Sequence, residues 1–157
     1  MISNQQILQN LNELFKKQFQ EETKSIVLLA ASGSDRNYYR LSSETYTAIG
    51  VYSPDKHENS TFFYFTQLFH KNGLPVPELY QTATNHQVYL IEDLGDKSLF
   101  NILEQEGHSE KTKQLFKKSI DQLVRVHWQA GLQVDFSMCH AATVFDKQQI
   151  FSDLLYF

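Results

Sequence analysis

Cysteine is almost absent from this sequence, with one residue, Cys139, in 157. A single thiol cannot close a disulfide within the chain, and no Cys/His set has the spacing of zinc ligands, so neither staple holds the fold. The three prolines and six glycines form no low-complexity tract, and no internal repeat is visible. Nowhere do 18 consecutive apolar residues occur, so no segment reads as a membrane span. The start, Met1 to Gln5, lacks the basic residues and apolar run of a signal peptide. Positive charge is also short: 14 Lys and Arg stand against 18 Asp and Glu, for a net charge of −4. The lysines are scattered, with Lys16-Lys17 and Lys117-Lys118 the only pairs, which argues against a nucleic-acid partner. A soluble, cytoplasmic protein is the expectation.

What is present is apolar bulk. Hydrophobic residues make up 41% and aromatics 13%, including twelve Phe and eight Tyr. A chain so rich in large apolar groups is globular. Its length suits one domain with a core, or a small lobe with part of a second.

The hydrophobic period divides the chain. Ser3 to Phe19 reads as an amphipathic helix, with Ser3 and Gln6 at capping-box spacing and Ile7, Leu8, Leu11, Leu14, Phe15 and Phe19 at helical intervals. Three strand-like runs follow, Ser25 to Ala30, Asn37 to Leu41 and Thr45 to Tyr52, in an antiparallel meander. A helix over Phe62 to Phe69 carries Phe62, Phe65, Leu68 and Phe69 on one face. Gly73 closes it, and Pro75 and Pro77 forbid continuation. Glu78 to Ala83 and Gln87 to Ile91 read as two more strands. After Glu92-Asp93-Leu94-Gly95-Asp96 the pattern is helical only: Ser98 to Glu104, Ser109 to Ala130 and a last helix opening at Asp146. Strands followed by helices indicate an α+β fold with an antiparallel sheet.

The Ala31–Arg36 connection is built of small and polar residues. Between two strands, such a loop lets backbone N–H groups approach phosphate oxygens. Gly33, Ser34 and Asp35 could supply those donors, and Ser32 or Ser34 a hydroxyl; the same residues could equally make a plain polar turn. Arg36, Tyr38 and Arg40 alternate and so share a face. An arginine fork suits phosphate oxygens, the alternative being solvated strand arginines. Asp135-Phe136-Ser137 has the look of a kinase metal motif but no catalytic loop precedes it. His127, in register with Phe116, Ile120, Leu123 and Val124, reads as a core histidine. Cys139-His140 is too little for nucleophilic catalysis, and Phe62, Phe65 and Phe69 read as core packing.

Three segments carry a resemblance. Asn72-Gly73-Leu74-Pro75-Val76-Pro77, Tyr89-Leu90-Ile91-Glu92-Asp93-Leu94-Gly95-Asp96 and Gln122-Leu123-Val124-Arg125-Val126-His127 resemble, in order and spacing, segments of the aminoglycoside phosphotransferase and choline kinase family. Gly33, Arg36, Tyr38 or Tyr39, and Arg40 resemble the loop of its bacterial amino-sugar and sugar kinases. The likeness covers about residues 25–157. It implies a protein-kinase-like small lobe, a five-stranded antiparallel sheet with one packed helix, followed by the first helices of a large lobe. The divisions expected are an N-terminal helix at 1–24, the lobe at 25–92, a hinge at 93–97 and an incomplete helical part at 98–157.

The resemblance also implies ATP and magnesium. Adenine would meet backbone groups of Glu92, Asp93 and Leu94, sandwiched by Leu28 or Ala48, with phosphates at the Ser32–Arg36 loop and Arg40. An ordinary strand-to-helix turn is the alternative for residues 92–96. The sequence departs from the family pattern at the third strand, where Thr47-Ala48-Ile49-Gly50-Val51 offers no lysine; Arg36 or Arg40 would have to replace it. Glu58, the candidate for the usual helix partner, reads as a surface or cap residue. No His-x-Asp catalytic loop with its Asn and metal Asp occurs, so this chain is expected to be inactive as a phosphotransferase by itself. The acceptor, a sugar or amino sugar, would bind elsewhere in a longer chain. The final stripe, Ile150, Phe151, Leu154 and Leu155, runs to the end without a stop signal, so it is expected to be covered by another chain, as in self-association, or by further helices, or else to be poorly ordered. A non-catalytic kinase-like module and an unrelated α+β interaction domain are the alternative readings.

Overall fold

A computed structural model of the chain describes residues 2–30, 35–140, 144 and 146–156. Helix α1 (Asn4–Phe19) is opened by the Ser3 hydroxyl, which accepts from the Gln6 amide as the spacing predicts. Strands β1 (Ser25–Leu28), β2 (Asn37–Ser42) and β3 (Thr47–Tyr52) follow, then α2 (Lys56–Lys71), β4 (Leu79–Thr82) and β5 (Val88–Glu92). The strands form one sheet in the order β1-β2-β3-β5-β4, antiparallel at every pairing. The architecture is α+β, with an open five-stranded antiparallel sheet.

Each face of the sheet carries one helix. On the first face, Ile7, Leu11, Leu14 and Phe15 of α1 are buried against Tyr39, Leu41, Ala48, Tyr52, Val88 and Leu90. Four buried side chains at about 1.5–3 kcal/mol each make α1 a full partner of the sheet, although residues 1–24 read in the sequence as a separate leading helix. On the second face, Phe63 of α2 packs with Ile49, Val51 and Tyr89, flanked by Phe62, Tyr38 and Ile91.

Helix α2 begins earlier than its apolar residues suggest. The Asp55 carboxylate caps it, accepting from the amides of His57 and Glu58. The core-facing residues are Asn59, Phe63 and Thr66. Of the stripe expected to be core, Phe62 meets the sheet, while Phe65 and Phe69 pair with each other away from it, rings 5.5 Å apart. Asn59 is completely buried and its Nδ2 donates to the carbonyls of Ser53 and His86, tying α2 to the end of β3 and to the β4–β5 turn. Gly73, at φ 65°, lets the chain leave the helix.

Beyond β5 come α3 (Leu99–Glu106), capped by Ser98 and Asn101, and α4 (Glu110–Arg125). The helix expected to run unbroken to Ala130 changes to a π-helical turn at Val126–Ala130, followed by 3₁₀ turns at Gly131–Gln133 and Phe136–Met138. The last helix is α5 (Lys147–Tyr156). Among the described residues of 98–156 only Thr112 and Ala130 are buried. Phe116, Ile120, Leu123 and Val124 are exposed, and so is His127, which corrects its reading as a core histidine: the stripe has the right period, but the described residues leave it exposed. Ile150, Phe151, Leu154 and Leu155 are likewise exposed. No helix among the described residues is long and apolar enough to cross a membrane.

Candidate functional site

Of the loop expected to meet phosphate, Ser32, Gly33 and Ser34 lie outside the described residues. Asp35 is exposed at its end. Arg36 turns inward, only 16% of its side chain exposed, and Nη2 stands 3.1 Å from Oε1 of Glu58 on α2. Its guanidinium also lies over the Phe62 ring, 5.6 Å from the centroid. Burial opposes the charge, but Tyr89, a hydrogen bond with Tyr38, and Glu58 outweigh it, so the pKa is raised and Arg36 stays a cation. The Tyr89 hydroxyl is pushed up by burial, an effect its cationic neighbour only partly offsets, and stays neutral.

Glu58 is not the cap, and although its side chain stays half exposed at the surface it has a cation partner. The cap is Asp55, and Glu58 and Phe62, one turn apart, grip Arg36 together. A signal was available: Asp55 followed three residues later by Glu58 has the spacing of a helix start. That start places Glu58 and Phe62 on one side of α2.

Arg40, within β2, is engaged farther along the same face. Nε donates to Oδ2 of Asp93 at 2.7 Å and Nη2 to Oδ1 at 3.0 Å, while Nη1 lies 2.8 Å from Asp96. Its planar fork is filled by two carboxylates of the β5–α3 connection, residues 93–98, so a phosphate there would have to displace them. The Asp93 side chain is 7% exposed. Burial pushes its pKa up, but the Arg40 fork, the Gly95 amide and a hydrogen bond with Thr47 outweigh this and hold it below the usual carboxylate value. Arg36 and Arg40 are four residues apart along an extended segment, about 13 Å.

The register settles which side chains share this face. The row Val27–Arg40–Ile49–Ile91–Leu79 crosses the sheet, each residue opposite the next. Val27, Ile49 and Ile91 are the apolar members of this row near the 93–98 connection, with Arg40 between Val27 and Ile49 and with Ile49 buried beside Phe63. Ala48 is one residue out of phase, completely buried under α1, and Leu28, opposite Tyr39, faces the α1 side too. Ala48, expected with Leu28 to flank adenine, thus lies opposite Glu92 but on the α1 side of the sheet. A shift of one residue in a strand exchanges the faces, and the alternation of Thr47 to Tyr52, apolar on both sides, did not fix the phase. Gly50 also faces α1, so Thr47, Ile49 and Val51 are what β3 offers on the Arg36 face.

At the end of β5 the Glu92 amide donates to the Glu78 carbonyl at 2.9 Å, and the Glu92 carboxylate accepts from the Glu78 amide. Main chain and side chain of Glu92 both hold the β4 side of the sheet. Leu94 is 68% exposed, and Gly95, at φ 80°, supplies the left-handed turn that follows. Asp135, in the segment with the look of a metal motif, caps its own short turn by accepting from Ser137. Among the described residues no group of three or more His, Cys, Asp and Glu is placed to hold a metal ion. A groove of about 520 Å³ between α1 and the β4–β5 turn, lined by Gln6, Asn10, Glu13 and Lys17, lies on the opposite face of the sheet.

No protein-family model matches this chain, and no curated protein matches it.

Proposed function

We propose that this chain is the nucleotide-holding part of an ATP-dependent phosphotransferase for a small hydroxyl acceptor, such as a sugar or amino sugar. The sheet and α2 would be its kinase-like small lobe. The observation that carries the reading is Arg36, a cation gripped by Glu58 and Phe62 at one end of a sheet face. Toward the other end of that face, apolar Val27 and Ile91 lie near a partly exposed connection. Adenine would rest on Val27 and Ile91 and meet the backbone around Leu94. The phosphates would lie toward Gly33, Ser34 and Arg36. In this arrangement Arg36 replaces the lysine missing from the third strand, and Glu58 holds it as a helix glutamate would hold that lysine. Arg40 belongs to the connection, keeping Asp93 in place, and is not a phosphate ligand. Magnesium ligands and the catalytic base are not in this sequence, so this chain by itself turns over no acceptor.

A second reading, a non-catalytic binding or regulatory module of the same fold, is favoured by one observation: β3 presents Thr47, Ile49 and Val51 to this face, none of them charged. Titration with ATP separates the two. Arg36→Ala should weaken binding by about 1–3 kcal/mol, the scale of a lost charge-assisted bond. Glu92→Ala should cost much less, since only its backbone would meet the nucleotide. Equal affinities for wild type and Arg36→Ala would take the arginine out of the site and leave the second reading.

A further inference from the structure

The chain after α4 returns along the outer face of α2. Arg125 Nη2 donates to the Gly73 carbonyl at 3.0 Å, just past the C-terminal end of α2, and Gln133 Nε2 donates to Oδ1 of Asn72 at 2.7 Å. The Asp135 amide donates to the Tyr64 hydroxyl at 2.7 Å, and the Thr61 hydroxyl donates to the Met138 carbonyl at 2.7 Å. The His140 ring then stands 3.4 Å from the carboxylate of Asp55, the cap at the other end. Five polar contacts, in order, thus follow the helix from its last residues to its first.

Thr61 and Tyr64 lie on the side of α2 turned away from Asn59, Phe63 and Thr66, as the 100° step of a helix requires. The sheet holds one side of α2 and residues 133–140 hold the other. Burial contributes little to the second hold: Leu132 and Phe136 are 80% and 56% exposed. A cavity of about 190 Å³, lined by His57, Ser60, Thr61 and Ser137 to His140, separates part of the segment from the helix. Hydrogen bonds, not apolar packing, fasten it, so it can let go while the sheet stays folded.

We infer that residues 133–140 are a strap that positions α2, and that Thr61 and Tyr64 are positioning residues acting through Glu58 and Phe62 on Arg36. Why that matters for nucleotide rests on the function proposed above; the mechanical claim does not. Glu58 lies one turn from Thr61 and Phe62 is next to it, so a shift of this stretch of α2 moves both groups that grip Arg36. Coupling of this kind is reciprocal: whatever fixes Arg36 must also tighten the strap.

The test uses the whole chain and three variants. Tyr64→Phe with Thr61→Val removes both hydroxyls at nearly constant volume. Asp135→Pro removes the strap's own amide donor, at a φ of −83° that suits proline. Hydrogen exchange of the Asp135 amide reads the strap in the double variant, exchange of the Arg36 guanidinium protons reads the grip in both, and ATP titration reads the site. The expected result is several-fold faster exchange at Asp135 in the double variant, several-fold faster exchange at Arg36 in both variants, weaker ATP binding, and an unchanged melting temperature. Thr61→Val alone should give an intermediate effect. Faster exchange at Asp135 with none at Arg36 would make the strap a passenger, and unchanged exchange at Asp135 would remove the strap itself. Either overturns the inference. If wild type binds no ATP, the nucleotide reading falls, and exchange at Arg36 still decides the coupling.

Discussion

Gly50 sits in the middle of β3 under α1, and adding one methyl there measures how tightly α1 is pressed onto the sheet. A Cβ at this position would lie 2.4 Å from Cδ2 and 3.1 Å from Cδ1 of Leu11, and 2.8 Å from Cδ1 of Leu41. Carbon atoms rest about 3.5–4.0 Å apart, so Leu11 must retreat by more than about 1 Å. Leu11 and Leu41 are both completely buried, so neither has open space to swing into. Overpacking of this kind costs about 1–3 kcal/mol. Removing a glycine from a strand returns about 0.5–1 kcal/mol of backbone entropy, so the cost dominates. Gly50→Ala should therefore destabilise the fold by about 1 kcal/mol, lowering Tm by about 2–4 °C for a chain of this length. Urea unfolding followed by circular dichroism should show a lower midpoint at unchanged slope. Leu11→Ala alone should cost about 2–5 kcal/mol. The double variant should cost less than the two together, because the new methyl enters space that Leu11 has left. A Gly50→Ala variant as stable as wild type, or strictly additive costs, would refute the close contact between α1 and β3.

Two further outcomes concern the ties around the site. Asp93→Asn should cost about 1–3 kcal/mol at neutral pH, since it leaves the Arg40 fork half-filled and removes a nearly buried charge. Because the folded-state pKa of Asp93 is lowered, its contribution is present above the unfolded value near about 4 and is lost as pH falls through the folded value. Acid titration of stability should therefore be shallower below about pH 4 in the variant. Asn59→Leu should cost about 2–4 kcal/mol, because the Ser53 carbonyl loses a buried donor and the His86 carbonyl a partly buried one. Thermal unfolding reads this directly, and a neutral result would mean that those carbonyls find other partners.

Much of the fold was legible because local chemistry and burial agree. Ser3, Ile7, Leu11, Leu14 and Phe15 state the cap and the buried stripe of α1 in the sequence, and the structure uses all of them. The order of five strands around one helix followed from alternating apolar runs and from Gly73, Pro75 and Pro77. Where it failed, two faces or two signals competed. Thr47 to Tyr52 is apolar on both sides, so Ala48 and Ile49 could not be told apart until the partner strands fixed the register. In α2 the run Phe62-Phe63-Tyr64-Phe65 hides the buried side, and the true start depends on Asp55, whose polar first turn carries no apolar period. Arg36 was legible as a cation and Glu58 as a candidate partner, but their meeting depends on how α2 packs on the sheet, which the sequence does not fix. Nothing in residues 109–140 announced the π-helical turn or the strap, because those contacts join backbone to lone hydroxyls and leave no periodic trace.

The Arg40–Asp93 pair also bears on how the helices beyond β5 can move. A guanidinium anchored in β2, the strand beyond β3 from β5, holds the first residue after β5 by two bonds and by burial. Any swing of α3 must therefore pivot beyond Asp93, as a door turns at its pin and not at the frame. Asp96, also held by Arg40 but 80% exposed, is the clasp that opens first. Gly95, between them in a left-handed turn, is the swivel. The sheet side of this connection would then keep its place while α3 travels, so its two ends would differ in stiffness because of a single arginine.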